Sequence, residues 1–67
     1  MKALGKRIKE LRKVQGLSQE DLSYEADIPL SQVGRIERGE INPTISTIAR
    51  IASALKVEIK EIFNFKY

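Results

Sequence analysis

Ser31, Arg35 and Arg38 are spaced four and three residues apart, the interval that brings side chains onto one face of an α-helix. A hydroxyl beside two planar guanidiniums is a surface suited to oxygen and nitrogen acceptors. Arg35, near the middle of residues 30–38, is best placed for a two-bond contact, the geometry in which a guanidinium meets guanine O6 and N7; a merely solvated arginine is the alternative. Ser31 can bond several bases and so carries little sequence preference, and Leu30 suits either a thymine methyl or half-buried packing. Gly34 falls on the same outward side and lowers helix stability by up to ~1 kcal/mol relative to alanine. That makes sense if another surface must come close, and otherwise it is a neutral accident.

The same segment holds a carboxylate in an awkward place. Val33 and Ile36 set its apolar stripe, and at ~100° per residue Glu37 lies on the edge of that stripe. Arg12 stands one turn after Ile8 at the edge of another stripe, as Glu37 stands one turn after Val33. Two half-buried opposite charges on packed helices are best accommodated as a guanidinium fork on a carboxylate. Arg12 and Glu37 are therefore expected to form a structural ion pair that leaves Arg35 and Arg38 as the outward charges; two independent exposed charges are the alternative.

Other chemistries find little support. Cysteine and histidine are both absent, which removes disulfides, Cys/His zinc sites and the usual nucleophile–base pairs. No metal and no cofactor are expected. The acidic pairs Glu20/Asp21 and Glu58/Glu61 are explicable by helix-start electrostatics, so the chain does not read as an enzyme. Nor does it offer the aromatic platform on which single-stranded RNA stacks. No apolar run approaches a membrane span, and the N-terminal lysines are not followed by a secretory segment, so a cytoplasmic protein without membrane contact is expected. The net charge of +3 is unevenly spread: Lys2, Lys6, Arg7, Lys9, Arg12 and Lys13 against Glu10 give residues 1–16 a local +5. That asymmetry suits an acidic partner such as nucleic acid, although a lysine face is also commonly just solvated.

The elements that must position these side chains are short helices. Leu4, Ile8 and Leu11 predict an amphipathic helix over 2–15, with Val14 on its flank and Gly16 at its end. Ser18 and Asp21 form a capping-box pattern, and Leu17 and Leu22 a hydrophobic staple, so a second helix runs to about Ala26; Tyr24 faces outward from it. Asp27 tolerates positive φ and Pro29 holds Ile28 extended, forcing a turn before a third helix over 30–38 that Gly39 closes. Thr44 caps a fourth with the stripe Ile45, Ile48, Ala49, Ile51, Ala52 and Leu55; Ile59, Ile62 and Phe63 give a fifth. The expectation is all-α: a compact five-helix bundle over residues 1–67 with one core and a short apolar tail at 64–67.

A capped helix, a tight turn and a second helix with polar outward positions is the arrangement that places one helix in a DNA major groove while the other braces across the backbone. The run "GLSQEDL…QVGRIERGEINPTISTIARIASAL…EIF" resembles the lambda-repressor/Cro-like (XRE-type) helix-turn-helix family over about residues 4–63. The resemblance implies that helices two and three are the reader in a sequence-specific double-stranded DNA-binding transcriptional regulator, a repressor or controller. It implies that Gln19 contacts the DNA backbone, that Leu30, Ser31 and Arg35 face bases, and that Gln32, Arg38 and Asn42 lie at or near phosphates. It points to the Arg12–Glu37 pair as well. Read from the residues alone, Gln19 is either a phosphate ligand or an ordinary first-turn residue, and Arg38 could instead pair with Glu40. Three positions depart from the family pattern: Ser23 where alanine is usual, Asp27 where glycine is usual and Pro29 where a Ser or Thr cap is usual.

One such module reads few base pairs, so a homodimer on a palindromic operator is expected. Ile59, Ile62, Phe63, Phe65 and Tyr67 offer the pairing surface. In the alternative, Ile59 and Phe63 pack on helices one and four, or the apolar tail grips a different protein in an antitoxin-like interaction module.

Overall fold

Local backbone chemistry sets each helix boundary. The computed structural model describes residues 2–66, and Tyr67 lies outside them. Five helices follow one another among these residues: α1 (Lys2–Val14), α2 (Gln19–Ala26), α3 (Leu30–Glu37), α4 (Ile45–Leu55) and α5 (Ile59–Ile62). α1 is closed by Gly16 at φ 72°, with Leu17 N–H returning to the Arg12 carbonyl at 3.1 Å. Ser18 Oγ then accepts from Asp21 N–H, and Asp21 Oδ2 accepts from Ser18 N–H, both at 2.9 Å. That reciprocal cap starts α2, and hydrogen bonding from Ser18 holds the Asp21 carboxyl below its ordinary range. Thr44 Oγ1 starts α4 by accepting from Thr47 N–H at 3.1 Å.

The turn between α2 and α3 accounts for two of the three unusual residues. Asp27 occupies the left-handed region at φ 56°, which a short polar side chain tolerates. The Ser23 hydroxyl donates to the Ile28 carbonyl at 2.6 Å, tying α2 to the turn in a way that alanine could not. Pro29 begins α3 in an extended conformation with no side-chain cap, its ring restricting φ in place of a bond.

The core is built from Leu4 and Ile8 of α1, Leu22 and Ala26 of α2, Val33 and Ile36 of α3, and Ile48, Ile51, Ala52 and Leu55 of α4. Fully burying each large aliphatic side chain contributes about 1.5–3 kcal/mol. Two members of the expected α4 stripe are on the surface instead. Ile45 is 72% exposed and Ala49 is exposed, because Ala49 lies ~100° around the helix from Ile48 and Ile45 also sits in the first turn. Val14, at the end of α1, is exposed too.

α5 corrects the expected pairing surface. Ile62 is wholly buried beneath α5, which packs on α1 and α4, so it is a core residue and has no surface to offer a partner. Ile59 and Phe63, the two named as alternatives for packing inward, are 43% and 41% exposed. Arg7 of α1 holds α5 in place, its Nε donating to the Glu61 carbonyl at 2.9 Å. Phe65 packs at the core edge, its ring centroid 6.5 Å from that of Phe63.

Where α1 crosses α3 the backbones nearly touch. A Cβ on Gly5 would overlap the Ile36 carbonyl oxygen and stand 2.7 Å from that of Glu37. This close approach draws α1 against the C-terminal turn of α3, within reach of Arg12.

Candidate nucleic-acid interface

The orientation of α3 is fixed from its inner side. Arg12 Nε donates to Glu37 Oε2 at 2.6 Å and its Nη2 to Oε1 at 2.9 Å, while Nη1 donates to the Leu17 carbonyl at 2.8 Å. The two side chains are 8% and 3% exposed. Burial pushes the Glu37 carboxyl up, but the hydrogen bonds from Arg12 and Gln19 and the Arg12 charge together hold it below its ordinary value. The same bond raises the Arg12 pKa. Among the described residues no buried side-chain polar atom is left without a partner, which is the condition for such a pair to be tolerated at all.

Gln19 joins this network, which the sequence did not reveal. Its Nε2 donates to Glu37 Oε1 at 3.0 Å; a carboxylate only accepts, so the amide must present its nitrogen. One Nε2 hydrogen is thereby used, and the second is what remains for a phosphate. Glu37 thus fastens α3 to α1 through Arg12 and to the first residue of α2 through Gln19.

The outer side of α3 is open. Leu30 is 45% exposed, Ser31 and Arg35 are exposed and Gln32 is half-buried. Asn42 is exposed in the loop leading to α4. Gly34, expected to lie on the outer surface, is instead covered: Arg38 Nη1 lies 3.0 Å, and Gln19 Oε1 3.8 Å, from the place a Cβ would occupy. The glycine makes room for a neighbouring side chain of its own fold. Arg38 is exposed, and it makes the pairing named as its alternative, its Nε donating to Glu40 Oε2 at 2.6 Å. Lys6, Lys9 and Lys13 of α1 border a groove together with Glu10 and Glu37. Among the described residues no group of acidic side chains is placed to hold a metal, and no helix is long and apolar enough to cross a membrane.

Two helices joined through Asp27–Pro29, the second presenting an open polar face while its other side is bolted to the bundle, make a helix-turn-helix unit in an all-α fold. The sequence profile of the helix-turn-helix family HTH_3 matches residues 8–62, and the chain belongs to that family. It is similar to the immunity repressor protein of Bacillus phage phi105, 37% identical over 59 residues that cover 88% of this chain and 41% of the repressor. The chain therefore spans less than half of that relative's length. Among solved structures it is similar to the restriction-modification controller protein C.AhdI from Aeromonas hydrophila, with a TM-score of 0.88 and 42% identity over 90% of this chain and 91% of that one. It is also similar to SinR, a master regulator for biofilm formation solved in complex with DNA, with a TM-score of 0.86 and 31% identity over 91% of this chain and 98% of that one.

Proposed function

We propose that this chain binds double-stranded DNA with sequence preference and acts as a transcriptional regulator, with α3 in the major groove and α2 braced across the backbone. The observation that carries this reading is the open face of α3, where Ser31 and Arg35 project from a helix fixed on its inner side by the Arg12–Glu37–Gln19 network. A recognition helix needs both properties: donors facing outward and a rigid mount. Arg35 reads a base edge, guanine being the acceptor pair its fork fits; Ser31 and Leu30 make the adjoining base contacts. Gln19, Gln32 and Asn42 take phosphates, and so does Arg38 where the docked duplex draws it from Glu40; these contacts position the helix without specifying sequence. The repressor, controller and DNA-bound regulator among its relatives support the regulatory role. On this reading residues 1–67 act as one DNA-binding unit in the cytoplasm, without catalysis, cofactor or metal.

Selection of bound duplexes from a random pool tests the proposal and reads the target together. Enrichment of one sequence that the protein then shifts in a native gel, well ahead of a scrambled duplex, is the expected result. Recovery of unenriched pool would refute it.

The operator is proposed to be a palindrome bound by a homodimer, with half-sites about one helical turn apart. Ile59, Phe63 and Phe65 form the pairing surface, with Ile62 excluded by its burial. Sedimentation of the full chain and of a chain ended after Asn64, with and without duplex, checks this. A full chain that stays monomeric at high micromolar concentration and binds one to one refutes the dimer.

A further inference from the structure

The end of α3 folds an acid back onto its arginines. Gly39, at φ 76°, lets its N–H reach the Ile36 carbonyl at 3.0 Å and the Glu40 N–H reach the Arg35 carbonyl at 2.9 Å. This helix-ending motif brings the residue after the glycine beside the one five positions earlier, and the pair in contact is usually apolar. Here it is a carboxylate and a guanidinium. Glu40 Oε2 accepts from Arg38 Nε at 2.6 Å and Oε1 from Arg38 Nη2 at 3.3 Å, while Oε1 stands 3.8 Å from Arg35 Nε. The bonds from Arg38 hold the Glu40 carboxyl below its ordinary range, so it is fully charged at neutral pH.

The two arginines are held differently. Arg38 spends two of its three nitrogens on Glu40, and its third lies over Gly34. A phosphate must displace the carboxylate or sit beside it. Arg35 is approached from Nε, the nitrogen that an end-on contact with guanine leaves unused, so its terminal nitrogens remain available. We propose that Glu40 is a specificity-determining residue for DNA binding: it withholds Arg38 from indiscriminate phosphate contact and steadies Arg35 for a base edge. The inference rests on the DNA-binding reading above.

The test compares wild type, Glu40→Gln, Arg38→Gln and the double variant on a duplex selected by the wild type and on a scrambled duplex of equal length, over a range of salt concentrations. Glu40 is exposed, and its backbone bond to Arg35 survives the substitution. Glu40→Gln should bind the scrambled duplex about two- to fivefold more tightly, the range by which an exposed ion pair shifts an equilibrium. Its log–log salt slope should steepen by about 0.9, the contribution of one added phosphate contact. The selected duplex should gain less, because Arg35 loses its support, and Arg38→Gln should abolish the gain. Unchanged scrambled-duplex affinity, or an equal gain on both duplexes, overturns the proposal while leaving DNA binding intact. A wild type that shifts no duplex overturns both readings.

Discussion

Replacing Arg12 by methionine keeps the aliphatic stem but leaves the Glu37 carboxylate, 3% exposed, with a single remaining donor, the Gln19 amide. Breaking a buried pair from one side costs about 3–5 kcal/mol, because the surviving charge keeps its desolvation penalty and loses its partner. A chain of 67 residues has a total stability of roughly 3–10 kcal/mol at the usual ~0.05–0.15 kcal/mol per residue. Arg12→Met alone should therefore remove from about a third to all of that stability and lower the urea midpoint in proportion. Glu37→Leu alone should cost a similar amount, by leaving the guanidinium bonded only to the Leu17 carbonyl. The double variant Arg12→Met/Glu37→Leu buries no charge and should recover most of the loss. The deficit that remains comes from the Leu17 carbonyl and the Gln19 amide, at about 1 kcal/mol each. Urea titration followed by the helical circular-dichroism signal gives all four stabilities, and the coupling, the two single losses less the deficit of the double variant, should be about 4–8 kcal/mol, larger than the ~0.5–3 kcal/mol usual for residues in contact. Single losses that simply add would show that α1 and α3 are held by packing alone, and the account of a rigid mount for α3 would fall with it.

Acid should weaken the fold: Glu37 and Asp21 both have folded pKa values below their unfolded ones near ~4, so their contribution is complete above that pH and is lost as pH falls through the folded values; urea midpoints unchanged between pH 7 and pH 3 would contradict this. Arg35→Ala should abolish preference at one base pair, at roughly 1–3 kcal/mol of discrimination, while Arg38→Ala should weaken the selected duplex more than the scrambled one, from which Glu40 withholds it; equal losses on both duplexes for Arg35→Ala would remove it from the base-reading role. Gly5→Ala gains ~1 kcal/mol of helix propensity, but its methyl must push α1 off the Ile36 carbonyl at about 1–3 kcal/mol or more, so the variant should melt below wild type, and a higher melting temperature would show that the crossing has slack.

The features readable from the sequence were those governed by neighbours along the chain. Ser18 with Asp21, Thr44, Gly16 and Gly39 each set a local backbone geometry over a few residues, so helix boundaries followed to within about one position. The Arg12–Glu37 contact crosses 25 residues, yet two charges at the edges of apolar stripes have few ways to be buried, and the pattern pointed to the pair. Gln19 was different, since nothing in a first-turn glutamine says whether its amide turns to solvent or to a carboxylate at the end of the next helix. Gly34 was assigned outward by its angle on the helix, but a helical wheel knows nothing of the long Arg38 side chain that folds over it. Ile62, the last residue of the single-turn α5, and Phe63, just past its end, are adjacent apolar residues; which of them enters the core depends on how α5 docks, and the Arg7 bond to the Glu61 carbonyl that fixes the docking has no pattern in the sequence. The arginine face itself shows the same division. Residue type and spacing identified Arg35 and Arg38 as outward donors, but their unequal availability arises from the left-handed turn at Gly39, which carries Glu40 back beside both. A glycine read only as a helix stop therefore also sets how many positive charges the face presents.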